Sequence, residues 1–273
     1  MPAAEPKKEA TRREADRVEE RAIPPTPVIY DVVRRYGEEE MSRPAISLWW
    51  SGLAAGLSMS FSLLAEAILR MHLPEGHWAK LVVSFGYPVG FVMVVLARQQ
   101  LFTENTITVV LPVTAEPTRR NFWRSGRVWG IVLAANLVGT LAAALLCTFT
   151  PVIDPALRDA MLAISADGMR YGWMETAFRS VTAGFLMATM VWLIPASDEA
   201  QFFVILLITY LIGAGGFPHI VAGSVESFLL VANGQLGFGA MLGGFTLPVL
   251  LGNIVGGTVL FALLSYAQVM KEI

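Results

Sequence analysis

Long apolar segments dominate this sequence after residue 45, and each is about as long as a lipid bilayer is thick. About 20 helical residues cross the ~30 Å hydrocarbon core, because a helix rises 1.5 Å per residue. Only 15% of the residues are charged, compared with roughly 25% in soluble globular proteins. The pattern predicts an all-α membrane protein with six transmembrane helices. Their approximate bounds are Ile46–Leu69, Leu81–Pro112, Phe122–Phe149, Trp173–Ile194, Phe202–Val231 and Gly243–Val269.

The first 44 residues differ from the rest of the chain. Of the 20 Lys and Arg residues, 9 fall within residues 1–43, as do 10 of the 22 Asp and Glu residues. No apolar core precedes Pro24, so this is not a signal peptide. We predict a mixed-charge helix over 7–22 and a second short helix over "VIYDVVRRYGEEE" (28–40). The predicted division is a charged cytoplasmic helical segment, 1–44, and a transmembrane channel domain, 45–270.

Basic residues set the expected orientation. Arg119, Arg120, Arg124 and Arg127 lie between the second and third spans, whereas the next connection carries few cations among several aspartates. Basic loops stay on the cytoplasmic side. We therefore expect a multi-pass protein of the cell (inner) membrane with both termini in the cytoplasm.

Two of the spans are interrupted. "QQLFTENT" (99–106) breaks the second, and "GGFPHIVAGS" (215–224) breaks the fifth. Six spans with both ends on one side allow two inverted repeats of three helices, in which these breaks correspond. Broken helices leave backbone polar groups that lipid cannot satisfy, so they must be buried in protein or line a cavity. Paired breaks predict a transport site where they meet.

Three stretches carry a family resemblance: "LFTENT" (101–106), "GFPHIVAGS" (216–224) and "LPVLLGNIVGGTVL" (247–260). Together they resemble the formate/nitrite transporter family, over about residues 45–270. The resemblance implies an aquaporin-like fold and a homo-pentamer in which each protomer has its own pore. It also implies transport of small monovalent anions such as formate, nitrite, acetate, lactate or hydrosulfide, often coupled to protons.

The resemblance also assigns roles to residues. His219 matches the central pore histidine, and Thr103 matches the loop threonine that contacts it. The other matched positions are Leu101, Phe102 and Glu104 in the loop, Tyr87 and Phe91 at the cytoplasmic constriction, and Ile212 at the outer constriction.

The free-energy cost of moving an anion out of water suggests how a solute would pass. An anion loses much of its hydration free energy among apolar side chains, and protonation to the neutral acid removes most of that cost. Desolvation favours the neutral acid, and histidine is the side chain able to relay a proton near neutral pH. The expected partners are thus a small monovalent anion or its neutral acid, a proton and the lipid bilayer. Whether His219 donates the proton or only a hydrogen bond stays open at this point.

Several positions depart from the family pattern. Gly168 stands where formate and nitrite members commonly carry a lysine, and Arg170 is the nearest cation. Pro218 and Gly223 replace polar neighbours of the pore histidine. Glu104 would repel an anion unless it is protonated or paired, for example with Arg98.

Other ionisable residues have simpler interpretations. Glu175 and Arg179 are one helical turn apart, which predicts an ion pair within the helix. Glu66 is expected to reach the membrane interface, and Glu226 is left open between capping and bridging. His72 and His77 are expected to be solvated.

Two functions other than anion transport are compatible with the sequence. A channel for small neutral solutes would share the architecture, although no Asn-Pro-Ala motif occurs in the chain. A membrane scaffold or sensor with a non-conducting pore is the other alternative. We expect no enzyme activity, cofactor or metal, because the three histidines form no His-Glu-x-x-His motif and Cys147 is the single cysteine. The net charge of −2 gives no indication of nucleic-acid binding.

Overall fold

A computed structural model describes residues 24–74 and 76–273, and within these ranges the chain is helical with no β-strand. The helix predicted over 7–22 lies outside the described residues. Two single-turn 3₁₀ segments, Ile194–Ala196 and Asp198–Ala200, lie between the helix that ends at Leu193 and the helix that begins at Gln201. The helices are α1 (Thr26–Ser42), α2 (Ala45–His72), α3 (Ala79–Val83), α4 (Pro88–Leu96), α5 (Phe102–Thr108), α6 (Leu111–Ala115), α7 (Arg119–Phe149), α8 (Pro155–Gly168), α9 (Trp173–Leu193), α10 (Gln201–Gly215), α11 (Ile220–Ala232) and α12 (Phe238–Val269).

The six predicted spans are present with both breaks in the predicted places. In the described part of the chain, five helical segments are long and apolar enough to cross a membrane, and α10 with α11 forms a sixth span bent by 47°. The second span differs in detail, since its long helical part ends at Leu96 and the short helices α5 and α6 follow the break. The last span begins at Phe238, five residues before the expected Gly243.

The two halves of the channel domain repeat the same order of a whole span, a broken span and a whole span. In the first half α2 packs along α7, and in the second α9 packs along α12. Glycines allow both approaches, because a Cβ on Gly56 would overlap the Asn136 carbonyl and one on Gly256 would overlap the Val181 carbonyl. Three spans per half make the halves inverted. The fold is therefore the expected six-helix, aquaporin-like arrangement.

Helix α12 contains two π-helical segments, Met241–Thr246 and Val255–Ala262. The second brings α12 against α5, where a Cβ on Gly257 would overlap the Thr106 side chain. The Thr258 hydroxyl donates to the Thr106 carbonyl over 2.6 Å. The last span thus holds the short helix that follows the first break.

Helix α1 is docked on the channel domain. It buries Tyr30, Val33, Gly37 and Met41. The Glu40 carboxylate accepts from Asn105 Nδ2 at 3.0 Å, and from the Thr108 hydroxyl. These contacts join α1 to α5, and the proposed domain boundary at residue 44 stays a prediction.

Candidate pore site

The first break is fixed by one asparagine. Leu101 is extended, with φ −112° and ψ 127°, and it precedes α5. Asn136 Oδ1 on α7 accepts from the Phe102 amide at 2.9 Å. Its Nδ2 donates to the Gly52 carbonyl at 2.8 Å and to the Gln100 carbonyl at 2.9 Å. A single side chain thus satisfies backbone groups on both sides of the break.

The second break repeats this arrangement in the other half. His219 is extended, with φ −117° and ψ 131°, and it precedes α11. Asn253 Oδ1 on α12 accepts from the Ile220 amide at 2.9 Å, and its Nδ2 donates to the carbonyls of Ser180 at 2.8 Å and Pro218 at 3.1 Å. The turn itself uses Gly216 at φ +60°, a conformation that suits glycine.

Neither asparagine was predicted from the sequence as part of the site. The signal is present as a short repeat, "NLVGT" (136–140) and "NIVGGT" (253–258), in the last span of each half. An asparagine in an otherwise apolar span needs hydrogen-bond partners, and a broken helix supplies them.

The two breaks bring His219 and Thr103 together. His219 Nε2 lies 2.7 Å from Thr103 Oγ1, although 116 residues separate the two along the chain. His219 is 1% exposed and Thr103 is fully buried. The ring of Phe91 packs edge-on against the imidazole, with 5.0 Å between centroids.

The other ring nitrogen of His219 fixes the tautomer. His219 Nδ1 accepts the Ala222 amide hydrogen at 3.2 Å and so caps α11. A neutral imidazole carries one N–H, which must then be on Nε2 and point at Thr103 Oγ1. The Thr103 hydroxyl hydrogen has no protein acceptor among the described residues. The pair therefore presents a hydroxyl donor held in place by the histidine.

A cavity of about 530 Å³ reaches His219 from one side of the molecule. Tyr87, Ile212, Gly223 and Phe245 line it near the histidine. Leu101, Phe102, Thr103, Glu104 and Phe91 do not line this cavity; Leu101 is fully buried, and the Phe102 ring packs edge-on against Trp129 with 5.7 Å between centroids.

The structure shows where the predicted constriction residues lie relative to the cavity. The resemblance placed Tyr87 with Phe91, opposite Ile212. In the structure Tyr87 and Ile212 line the same cavity, and the Tyr87 ring packs against Gly213 on α10. Phe91, one helical turn after Tyr87, does not line the cavity; its ring packs against the Tyr87 ring at 5.2 Å and against His219 at 5.0 Å between centroids.

Comparison with known proteins adds to this geometry. The model of the family described as "Formate/nitrite transporter" matches residues 27–267. This chain belongs to the formate/nitrite transporter family. It is 44% identical to "Inner membrane protein YfdC" of Escherichia coli K12 over 257 residues, covering 94% of this chain and 82% of the relative. It is 26% identical to "Formate channel FocA" of Haemophilus influenzae, covering 80% of this chain and 84% of that protein.

Solved structures show the same fold for other formate/nitrite transporters. A "Pentameric formate channel with formate bound" superposes with a TM-score of 0.70 at 20% identity, covering 84% of this chain and 98% of the other. An "FNT family ion channel" superposes with a TM-score of 0.72 at 21% identity, covering 89% of this chain and 98% of the other. As a member of the formate/nitrite transporter family, the protein is a membrane channel or transporter for anions and not an enzyme.

The departures from the formate/nitrite transporter pattern have structural explanations. Glu226 Oε2 occupies the space that a Cβ on Gly168 would need, so the position of the family lysine faces a carboxylate here. A Cβ on Gly223 would overlap the Phe245 ring. The suggested Glu104–Arg98 pair is not formed in the described residues: Arg98 is exposed at φ +51°, and Glu104 Oε1 is buried without a hydrogen-bond partner.

One expectation about charges was wrong and others are confirmed. Glu66 does not reach the membrane interface; it is 7% exposed and lines the cavity together with Glu226. The reason is that α2 presents this side chain inward, where Gly86 lies against its backbone. The Glu175–Arg179 ion pair is present, with 2.9 Å between Oε1 and Nε. His72 and His77 are exposed, as expected.

Proposed function

We propose that this protein moves a small monovalent anion of the formate, nitrite or acetate kind across the inner membrane in a proton-linked way, crossing the narrowest region as the neutral acid. The observation that carries the proposal is the contact between His219 Nε2 and Thr103 Oγ1, at the junction of two broken helices and at the end of a cavity. A site with a polar donor pair inside apolar walls suits a small solute that carries one acidic oxygen.

In the proposed mechanism His219 acts as a hydrogen-bond donor and positioning group. Protonating Nδ1 would remove the cap on α11, which costs about 0.5–2 kcal/mol for a typical cap. The N-terminal end of a helix also disfavours a positive charge on the ring. Neutral His219 therefore orients the Thr103 hydroxyl, which donates its hydrogen to the solute oxygen.

Apolar residues around this pair exclude water. Tyr87 and Ile212 form the proposed outer constriction, and Phe91, Leu101 and Phe102 form the proposed inner one. Such side chains favour a dry passage, which penalises an anion more than a neutral acid. Glu104 stays a proposed pore residue, because it follows Thr103 directly on α5 and no cation neutralises its carboxylate in the described residues.

The proposed assembly is a homo-pentamer with both termini in the cytoplasm. Large apolar side chains cover the outside of the spans, among them Phe178, Phe203 and Leu207, each more than 60% exposed in one chain. Gly126 and Gly130 on α7 meet nothing within 4 Å in the same chain, which leaves this small-residue face for a neighbouring protomer.

Flux measurement in proteoliposomes tests the proposed function. The protein is reconstituted, and uptake of formate, nitrite, acetate, lactate and hydrosulfide is followed at two external pH values, with water and glycerol as neutral solutes. We expect uptake of at least one monovalent anion, faster at the lower pH because more of the solute is protonated. Uptake of glycerol or water alone would favour the neutral-solute channel, and no flux at all would favour a non-conducting scaffold.

A further inference from the structure

Two carboxyl groups line the cavity that reaches His219. Glu66 on α2 is 7% exposed, and Glu226 on α11 is half-buried. Both belong to the lining of this one cavity. Neither carboxyl has a hydrogen-bond or ion-pair partner among residues 24–74 and 76–273. An ionisable side chain inside a membrane protein is costly, and it usually marks a functional path.

A phenol next to the carboxyls is also without a partner. Tyr87 is 7% exposed and lines the same cavity as Glu66 and Glu226. Its backbone carbonyl accepts from Ser62, but its hydroxyl has no hydrogen-bond partner in the part of the chain that the structure describes. The hydroxyl is therefore free to donate a hydrogen bond to water or to a solute in the cavity.

The other charged groups on the cavity lie at its rim. Arg70 pairs with Asp167, with 3.2 Å between Nη1 and Oδ2, and both are exposed. Arg170 donates to the Tyr171 hydroxyl at 2.7 Å, and Lys80 is exposed. His219, at the inner end, is occupied by Thr103 and by the Ala222 amide. No cation among the described residues therefore neutralises the two inner carboxyls.

Two carboxyls that share a confined site cannot both ionise without strong repulsion, so such a pair retains one proton. The two carboxyls line the same cavity as His219. His219 is a poor proton source. Protonating Nδ1 would break its hydrogen bond from the Ala222 amide, and releasing the proton on Nε2 would break the hydrogen bond to Thr103. The vestibule therefore offers a proton source that the junction lacks.

We propose that Glu66 and Glu226 form a proton-sharing pair that protonates a weak-acid anion in the vestibule, before it reaches His219. The proposal rests on the proposed function and adds the group that delivers the proton. In the step, a carboxyl O–H bond of the pair breaks and an O–H bond forms on the solute oxygen, with the Tyr87 hydroxyl donating a hydrogen bond to the anion. The neutral acid moves on to Thr103, and water at the cavity mouth returns a proton to the pair.

Infrared titration tests the shared proton without any transport. The purified protein in lipid is titrated while the carbonyl stretch of protonated carboxylic acids is followed. We expect a titrating band in the wild type that is lost in Glu66→Gln and in Glu226→Gln, and that persists in Asp159→Asn, which changes an exposed carboxylate on α8. A spectrum that is identical in all four proteins would overturn the proposal.

Flux measurements give a second test. Whether the variants decrease or increase flux distinguishes proton delivery by the carboxyls from simple repulsion of the anion. If the pair delivers a proton, Glu66→Gln, Glu226→Gln and the double variant lower weak-acid flux at neutral pH by roughly tenfold or more. They also weaken the dependence of flux on external pH, whereas Asp159→Asn does neither. If the carboxylates only repel the anion, the same variants increase flux, and this result would contradict the proposal.

The two experiments separate this inference from the proposed function. A wild-type protein that carries none of the anions at any pH would refute the proposed function, while the infrared titration would still report on the proton pair. Normal anion flux with unchanged rate and pH dependence in the double variant would refute the pair alone. Size-exclusion chromatography of each variant identifies any protein that fails to fold, and the remaining single variant then decides the outcome.

Discussion

Replacing His219 by phenylalanine is expected to reduce solute flux to that of liposomes without protein, whereas asparagine preserves the fold and part of the flux. Phenylalanine removes both ring nitrogens, so the α11 cap and the donor to Thr103 are lost together. Asparagine is a good N-cap and can accept from the Ala222 amide, but its side chain is too short to reach Thr103. We expect His219→Asn to lower flux roughly 10- to 100-fold, because leaving the buried Thr103 oxygen without its donor costs about 1–3 kcal/mol.

The shape of the pH profile carries more information than the rate. Since neutral His219 acts by hydrogen bonding, His219→Asn should lower flux by a similar factor at each pH and leave the profile unchanged. His72→Asn, at an exposed histidine, serves as the matched control. Wild-type flux in His219→Asn would remove the histidine from the mechanism, and a profile that loses its pH dependence would make His219 the proton donor.

Replacing either buried asparagine by alanine is expected to destabilise the whole channel domain. In Asn253→Ala the Ile220 amide loses its acceptor and the Pro218 carbonyl loses its donor, while the Ser180 carbonyl loses a second donor but stays in the hydrogen-bond ladder of α9. A buried polar group without a partner costs about 1–3 kcal/mol, so two such groups should cost about 2–6 kcal/mol. Asn136→Ala should cost a similar amount, because its three contacts are equivalent. Thermal unfolding of the purified variants in detergent measures the effect.

A surface asparagine provides the control for this prediction. Asn121 is half-buried at the start of α7, and its side chain donates to the Glu116 carbonyl over 3.0 Å in a solvent-exposed hydrogen bond that water can replace. Asn121→Ala should therefore unfold at nearly the wild-type temperature. If Asn253→Ala were as stable as Asn121→Ala, other groups would have to form hydrogen bonds with the backbone at the second break. The role given to Asn253 in stabilising that break would then be wrong.

The spans and breaks could be predicted because their causes are local. Hydropathy over about 20 residues defines a span, and Gly216 with Pro218 cannot continue a helix. The matching positions of the two breaks then indicated the inverted repeat. The His219–Thr103 contact follows from the resemblance, and the structure adds the Ala222 hydrogen bond that defines the tautomer.

The remaining features depend on packing between distant elements. Whether Glu66 faces lipid or the cavity depends on which face of α2 packs against the neighbouring helices. The apolar sequence of α2 alone does not determine that face. Tyr87 and Ile212 line one cavity, because α10 approaches Tyr87 at Gly213. The partners of Asn136 and Asn253 lie on other helices, so only the repeated "NLVGT" and "NIVGGT" could have suggested them.

The most direct test of the account is the protonation of the His219 ring, measured by ¹⁵N nuclear magnetic resonance on the protein in lipid. The chain has three histidines, so His219→Asn identifies the signals of this residue. We predict one protonated nitrogen, Nε2, and one hydrogen-bond-accepting nitrogen, Nδ1, over the whole pH range in which flux is measured. A doubly protonated ring, or a proton on Nδ1, within that range would contradict the account.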